Sequence, residues 1–401
     1  MKVAFFINGP EDHGIVRASI ILANGLARLE NTSVAVVRDP DPLPHFSDFT
    51  AFAPLRAADL VVVHASIMTA LLWGPRESRA GSIIQFCSRV QRPVIVYLHD
   101  VYDHTELRDV IDSAKDCLKS VRNPKLLPTN LQKLLFRIMS PQPTLEARFL
   151  VTLDSHASGF VVSNPEEQSR LRRLRLEAPV AMVPHFIERR RGLREKDSAK
   201  KILGLSGQLV VTLLGFISEL KGHDIALSML RWLPKETALI FAGRTYDPGD
   251  PFFPALLRRI EELGVSDRVR ITGYLDDDDL DVYLSATDVA ICPFRDVAAS
   301  GSVATWLAAA KPIVATDLPL FRRYRSEFGN RIMLAPREDA RSFARWVADA
   351  NARSASIEQT IRHGVERYSV ENVAAILRGC LEDMIHTPQI RGGTPRARST
   401  G

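Results

Sequence analysis

The sequence predicts two doubly wound α/β domains, each a parallel sheet with helices on both faces, and three observations carry that expectation. Short β-branched runs alternate with longer helically spaced segments through the first half of the chain. The alternation stops at a polar stretch and then restarts. A length of 401 residues suits two domains better than a single core. Strands that alternate with helices pair in parallel, because only a long crossover returns the chain in the same direction.

In the first half the strand candidates are Lys2–Ile7, Val34–Val37, Leu60–Val63, Pro93–Leu98, Gly159–Val162 and Val180–Val183, all short Val/Ile/Phe-rich runs. Between them, Ile15–Leu29 and Ile83–Val90 repeat apolar residues at helical spacing. The segment 103–154 shows no strand pattern and reads as a helical insertion broken at Pro124, Pro128, Pro141 and Pro143. The first domain is expected over 1–187. The run 188–201 (ERRRGLREKDSAKK) lacks apolar periodicity and is expected to be a linker.

The second domain is expected over 202–368. Its strands are Leu209–Leu214, Ala238–Ala242, Val269–Thr272, Val289–Cys292, Pro312–Ala315 and Ile332–Leu334. Its helices are His223–Trp232, Pro254–Leu263, Leu280–Ala286, Val303–Ala310, Ala340–Ala350 and Ile357–Tyr368. A closing helix follows within 369–387 (Val370–Ile385), and the Gly/Pro/Arg-rich tail 388–401 is expected to be disordered.

Hydrophobic residues at 46% and charged residues at 25% exclude a mainly disordered chain. No apolar run reaches the roughly 20 residues that span a bilayer, and the start MKVAFFINGP reads as a strand rather than a signal peptide. Cys87, Cys117, Cys292 and Cys380 are scattered, so neither a disulfide framework nor a zinc site is expected and a reducing cytoplasm fits.

Three loops carry candidate chemistry. Gly14, in NGPEDHGIVR, follows the first strand, where a glycine lets backbone approach a ligand and a helix start offers N–H groups to an anion. An ordinary β–α turn explains it equally, and the spacing is not that of a dinucleotide-binding GxGxxG loop. GFISELKG (Gly215 to Gly222) follows the first strand of the second domain and sets the Lys221 ammonium at a helix start, a good place for a diphosphate, although the order is not that of a P-loop. Ser300–Gly301–Ser302 forms a small-residue turn before a helix. It offers backbone N–H groups and two hydroxyls to a phosphate, with plain N-capping as the alternative.

With the order of elements around them, these stretches resemble the GT-B glycosyltransferases of glycosyltransferase family 4, the retaining, nucleotide-sugar-dependent class. NGPEDHGIVRASIILANGLARL is similar to that family's first glycine loop and helix, FVVSNPEEQSRLRRL to the helix before its hinge, and VAMVPHFIE to the strand leading into it. GFISELKGHDIAL resembles the G-R-L-x-x-x-K-G segment; ALIFAG, RVRITGYL and DVAICPFR follow in order; LAAAKPIVATD resembles A-x-G-x-P-V-I-A, and YSVENVAAIL the closing helix. The resemblance implies two Rossmann-like domains facing a cleft, with the closing helix crossing back to the N-terminal, acceptor-side domain.

It also implies roles. Lys221 and Gly215 would bind the donor diphosphate together with Ser300, Gly301 and Ser302. Tyr274, Leu275 and Thr305 would lie around the nucleoside, Gly14 and His13 at the donor–acceptor junction, and His99 beside the transferred sugar. A phosphate oxygen of the leaving group would take the acceptor's proton, so no metal and no cofactor is expected. Two family features are missing: the E-x7-E frame falls on Val297 and Thr305, with Asp296 one position out of register, and the arginine after Gly215 is Phe216. Two alternatives stand beside a transferase acting on a glycan or lipid-linked acceptor: a catalytically degenerate GT-B partner or binding protein, which these losses suggest, and a GT-B nucleotide-sugar epimerase.

Weaker signals have plain structural readings. His99-Asp100 and Asp103-His104 bracket a turn where a metal site is conceivable and helix capping equally so. His64, His185 and His223 read as turn or surface histidines. Asp276–Asp279 opens a helix, where carboxylates cap N–H groups, so a metal is not expected there. Asn130–Met139 sets Leu131, Leu134, Leu135 and Ile138 opposite Lys133 and Arg137; this basic amphipathic pattern suits peripheral contact with an anionic membrane, or a core helix with solvated charges. Further basic clusters lie at Arg170–Arg175 and Arg189–Arg194. Aromatic residues are not interleaved with them, so nucleic acid is not an expected partner.

Overall fold

The computed structural model describes residues 1–8, 14–39, 53–65, 76–99, 101, 145–245, 249–297, 300–353 and 365–386. The chain divides into two compact units, Met1–Val183 with the residues from Ala374 onward, and Pro184–Val373.

The first unit holds six strands: β1 (Lys2–Asn8), β2 (Ser33–Asp39), β3 (Leu60–Ala65), β4 (Val94–Leu98), β5 (Gly159–Val162) and β6 (Val180–Met182). All pair in parallel in the order β2-β1-β3-β4-β5-β6. Strands β3 and β4 are buried at every residue, which is why LVVVHA and VIVYL read as continuous apolar runs rather than alternating ones. One face packs Phe6, Val61, Val63, Val96 and Phe160 against Phe86, Phe149, Leu150 and Leu153, from the helices Arg76–Arg89 and Leu145–Asp154. The helix Gly14–Ala27 buries Val16, Leu22 and Leu26. From Ala374 the final helix, Val370–His386, belongs to this unit, with Leu377, Leu381 and Met384 buried.

The helix Pro165–Arg173 is capped at both ends in ways the sequence encodes. Asn164 accepts from the Glu167 N–H at 2.8 Å, Pro165 occupies the first turn, and the buried Glu167 carboxylate accepts from the Ser163 and Val101 N–H groups. Arg170, Arg172 and Arg173 fill its last turn, where cations complement the helix dipole. Part of the basic cluster at Arg170–Arg175 therefore has a structural explanation.

The second unit repeats the plan with β7 (Leu209–Leu214), β8 (Thr237–Ala242), β9 (Val269–Ile271), β10 (Val289–Cys292), β11 (Ile313–Thr316) and β12 (Ile332–Ala335). They are parallel in the order β12-β11-β10-β7-β8-β9. One face carries Val211, Leu213, Phe241, Ile291 and Phe343, and the other Ala290, Cys292, Trp306, Phe321 and Tyr324.

Two expectations need correction here. The stretch 188–201 is not a linker. Lys196–Ile202 is a helix capped by Glu195, with Ala199 and Lys200 buried, and it packs on the helix Asp277–Ala286. Charges that looked solvated are ion-pair partners: Arg190 reaches Asp281 at 2.6 Å and Asp277 at 3.0 Å, and Lys200 reaches the buried Asp288 at 2.6 Å. Asp288 also accepts from the Val210 N–H, so this buried carboxylate is both paired and hydrogen-bonded. The acidic run supplies those partners and caps its own helix, Asp276 accepting from the Asp279 N–H at 2.9 Å. The second correction is an added helix, Pro319–Phe328. Its signals are a proline in the first turn, Leu320, Phe321, Tyr324 and Phe328 on one buried face, and Gly329 after the end.

The amphipathic stretch Asn130–Met139, most of the insertion, His13, Asp100, Asp103, His104 and the tail from 387 lie outside the described residues.

Candidate functional site

The second unit presents its candidate groups at the carboxyl ends of β7, β10 and β9, the edge at which open parallel sheets bind ligands. After β7 the chain turns at Gly215 and crosses Ser218 to a single 3-10 turn, Glu219–Lys221. Gly222 then starts the helix His223–Met229 in a left-handed conformation, φ 71° and ψ 34°. A Cβ at Gly222 would sit 2.0 Å from the Pro293 carbonyl oxygen, so the loop after β7 lies directly on the end of β10.

That contact aims Lys221. Its side chain folds back over Gly215, where a Cβ would lie 3.7 Å from Nζ, and Nζ stands 4.0 Å from the centre of the Phe294 ring. Lys221 has neither a hydrogen bond nor a carboxylate partner among the described residues. Burial pulls its pKa down to about 8, slightly opposed by the nearby Cys292 thiol. A desolvated ammonium held against an aromatic ring would be stabilised by an adjacent anion.

Arg295, which the sequence reading did not single out, fixes this loop. Its backbone N–H donates to the Leu220 carbonyl at 2.9 Å and its guanidinium to the Glu219 carbonyl. The same guanidinium grips Asp224 through two bonds of 2.9 and 2.7 Å and Glu338 through two of 2.7 and 3.1 Å. The Asp224 and Glu338 carboxylates hold Arg295 firmly in its charged form. Arginines on a strand end give no local pattern that reveals such a staple, because its partners are 43 to 76 residues away. His223 is buried rather than at the surface. Its Nδ1 donates to the Ser218 carbonyl at 3.1 Å, and burial lowers its pKa to about 4.

Ser300 lies just before a helix, and Gly301 and Ser302 are the first two residues of that helix rather than a turn ahead of it. Ser300 is buried and caps the helix Gly301–Ala308 by accepting from the Val303 N–H, while its hydroxyl lies 2.9 Å from that of Ser302. Gly301 is exposed at the helix start with open space around it. Thr305 returns its hydroxyl to the Gly301 carbonyl at 2.9 Å, and Val297 packs against the apolar core. Neither position carries a carboxylate, and Asp296 caps its own loop by accepting from the Val297 N–H. Tyr274, after β9, is 59% exposed, and Leu275 packs on the core beneath.

The first unit holds a separate cluster at the carboxyl ends of β3 and β4. His64, expected at a turn or surface, is buried, because its register opposite Tyr97 turns it inward under the helix Gly14–Ala27. His64 Nδ1 lies 2.7 Å from Ser19 Oγ and 2.8 Å from His99 Nε2. Burial drives the His64 pKa down to about 3. His99, just past β4, is half-buried, its backbone N–H held by the Ala65 carbonyl at 3.0 Å. Gly14 is the exposed first residue of its helix. His185 is half-buried, and burial lowers its pKa as well. No group of three His, Cys, Asp or Glu side chains among the described residues is placed to hold a metal ion. No described helix is long and apolar enough to cross a membrane.

Residues 208–350 match the family model described as "Glycosyl transferases group 1". The chain has no match among curated proteins. Among solved structures it is similar to HepE of Anabaena in complex with UDP, at 16% identity and TM-score 0.67 over 96% of this chain and 100% of that one. The complex of HepE with UDP-glucose matches at 15% identity and the same TM-score and coverage. Sucrose-phosphate synthase of Thermosynechococcus elongatus matches at 14% identity and TM-score 0.68, covering 97% of this chain and 100% of that one. WaaG, a glycosyltransferase involved in lipopolysaccharide biosynthesis, matches at 13% identity and TM-score 0.57, over 96% and 100%. At these identities the likeness is one of fold: two parallel six-stranded sheets with flanking helices, as in GT-B proteins.

Proposed function

We propose that this GT-B chain, which carries the group 1 glycosyl transferase domain across residues 208–350, moves a sugar from a nucleoside diphosphate-sugar to a glycan or lipid-linked acceptor with retention of configuration. The observation that carries the reading is Lys221: a desolvated ammonium without a carboxylate partner among the described residues, at the carboxyl edge of a parallel sheet, folded over Gly215 and against the Phe294 ring. Departure of a nucleoside diphosphate builds negative charge, and donors fixed beforehand stabilise that charge without reorganisation. Lys221 neutralises the diphosphate next to Gly215, and Ser300, Gly301 and Ser302 bind its oxygens. Tyr274, Leu275 and Thr305 flank the nucleoside.

In the first unit, His99 donates to the transferred sugar, and the loop at His13 and Gly14 receives the acceptor. A phosphate oxygen of the leaving group takes the acceptor's proton, so neither a protein base nor a metal enters the step. The structures of HepE with UDP and UDP-glucose support a nucleotide-sugar donor. WaaG, with its part in lipopolysaccharide biosynthesis, supports an acceptor on a surface polysaccharide or lipid. The basic pattern at Asn130–Met139 suits a cytoplasmic enzyme resting on the inner membrane face.

The test is release of nucleoside diphosphate from a panel of UDP- and GDP-sugars, with and without EDTA, followed by the anomeric configuration of the product. Release of one nucleotide, unchanged by EDTA and giving a retained anomer, is the expected result. Release that stops with EDTA would remove the metal-free step, and an inverted product would remove the retaining one. Val297 and Thr305 in place of carboxylates favour a second reading, a partner that binds nucleotide without turnover, for which binding persists and release is absent.

A further inference from the structure

The cluster of Ser19, His64 and His99 determines its own proton positions. The Ser19 hydroxyl lies 2.7 Å from the Ile15 carbonyl, which only accepts, so the single hydroxyl proton points there. Towards His64 Nδ1, at 2.7 Å, the serine oxygen must therefore be the acceptor, and Nδ1 carries the His64 proton. The other nitrogen, Nε2, is buried without a hydrogen-bond partner among the described residues. A bare ring nitrogen is cheaper to leave there than an N–H, which agrees with the same tautomer. His64 is held in place by stacking, its ring 5.0 Å from those of both Phe5 and Tyr97.

His99 Nε2 lies 2.8 Å from that same Nδ1–H and 3.5 Å from the serine oxygen. A proton on His99 Nε2 would set two N–H groups head to head, so Nε2 is the accepting nitrogen and the His99 proton sits on Nδ1.

We propose that Ser19 and His64 are positioning residues that hold His99 in its Nδ1–H form, so that Nδ1 rather than Nε2 is its donating nitrogen. The proposal rests on the reading that His99 touches the transferred sugar. It adds that the donor's tautomer is set from the interior, by a hydroxyl and a second imidazole, rather than by the ligand.

The test uses the full chain labelled with 15N-histidine and long-range 1H–15N correlation spectra, with the His99 signals assigned by their loss in His99→Ala. In the wild type the expected signature is a protonated Nδ1 and a bare Nε2. His64→Phe keeps an aromatic ring in the stack and removes the N–H, and the His99 signature should then become a mixture of tautomers. His64→Asn returns an amide N–H near the lost Nδ1 and should restore the wild-type pattern. A wild-type His99 protonated on Nε2, or a folded His64→Phe with an unchanged His99 signature, would overturn the proposal.

UDP release from UDP-glucose separates this proposal from the reading beneath it. His64→Phe should lower turnover about tenfold at an unchanged Michaelis constant, the value of one lost hydrogen bond, with recovery in His64→Asn. Unchanged release by His99→Ala would remove His99 from the sugar and leave the tautomer result standing.

Discussion

Stability of both units should fall steeply as the pH drops below about 6.5, because unfolding lets buried neutral histidines take up protons. His64 titrates near 3 in the folded chain and His223 near 4, against 6.5 for the free side chain, and burial is the leading cause in each. Between the folded and free values the unfolded chain binds a proton that the folded chain excludes. The stabilising contribution is therefore complete above pH 6.5 and is lost as pH falls towards each folded value. Each histidine contributes a slope of about 1.4 kcal/mol per pH unit within its window. Over the whole of it, His64 alone is worth about 4 to 5 kcal/mol, a large share of a domain's stability. The measurement is urea unfolding at several pH values, wild type beside His64→Phe, following the transition of the first unit. The variant should flatten the slope by one proton between about pH 4 and 6. Parallel slopes would show that His64 is charged or exposed in the folded state.

Gly222→Ala should destabilise the second unit by about 4 kcal/mol or more and abolish nucleotide binding with Lys221 still present. Two costs combine. The left-handed backbone at φ 71° strains any L side chain, by about 1 to 2 kcal/mol. The new methyl would also meet the Pro293 carbonyl oxygen at 2.0 Å, and a backbone carbonyl at the end of a central strand has nowhere to go. Relief comes only by lifting the Gly215–Lys221 loop off β10, which breaks the bonds from Arg295 to the Glu219 and Leu220 carbonyls and removes Nζ from Phe294. Gly207→Ala is the control: φ is 76° but no atom lies within 4 Å of the added Cβ, so only the backbone strain of about 1 kcal/mol remains. Equal losses for the two variants, by urea unfolding, would refute the close approach at Pro293.

These effects separate what is legible along the chain from what is not. The parallel sheets are legible because strands buried on both faces must be nearly all apolar, as LVVVHA and VIVYL are. The loop that carries Lys221 is legible because its parts, Gly215, Lys221 and Gly222, lie within eight residues, and the cap at Ser300 because capping is local. The staple by Arg295 and the burial of His64 depend on strand register and on partners many residues distant, so their spacing carries no signal. The run ERRRGLREKDSAKK misleads for a related reason. Charges without apolar periodicity look solvated, and only the position of the acidic helix Asp277–Ala286 shows that Arg190 and Lys200 are paired. The helix Pro319–Phe328 was fully encoded by its proline, its apolar face and its terminal glycine, and shows that local signals are missed as well as absent.

The central claim is that Lys221 is a preorganised cation for the diphosphate of a nucleotide. Calorimetric titration of UDP, GDP and their sugars into the wild type and Lys221→Ala tests it most directly. The predicted result is tight binding of one nucleotide, weakened in the variant by about 1.5 to 3 kcal/mol, the value of a charge-assisted hydrogen bond. In the wild type the affinity should decline as pH rises above about 8, where the lysine of the free protein loses the proton that it keeps beside a bound diphosphate. Binding that is equally tight in Lys221→Ala, or no binding of any nucleotide by the folded wild type, would contradict the account.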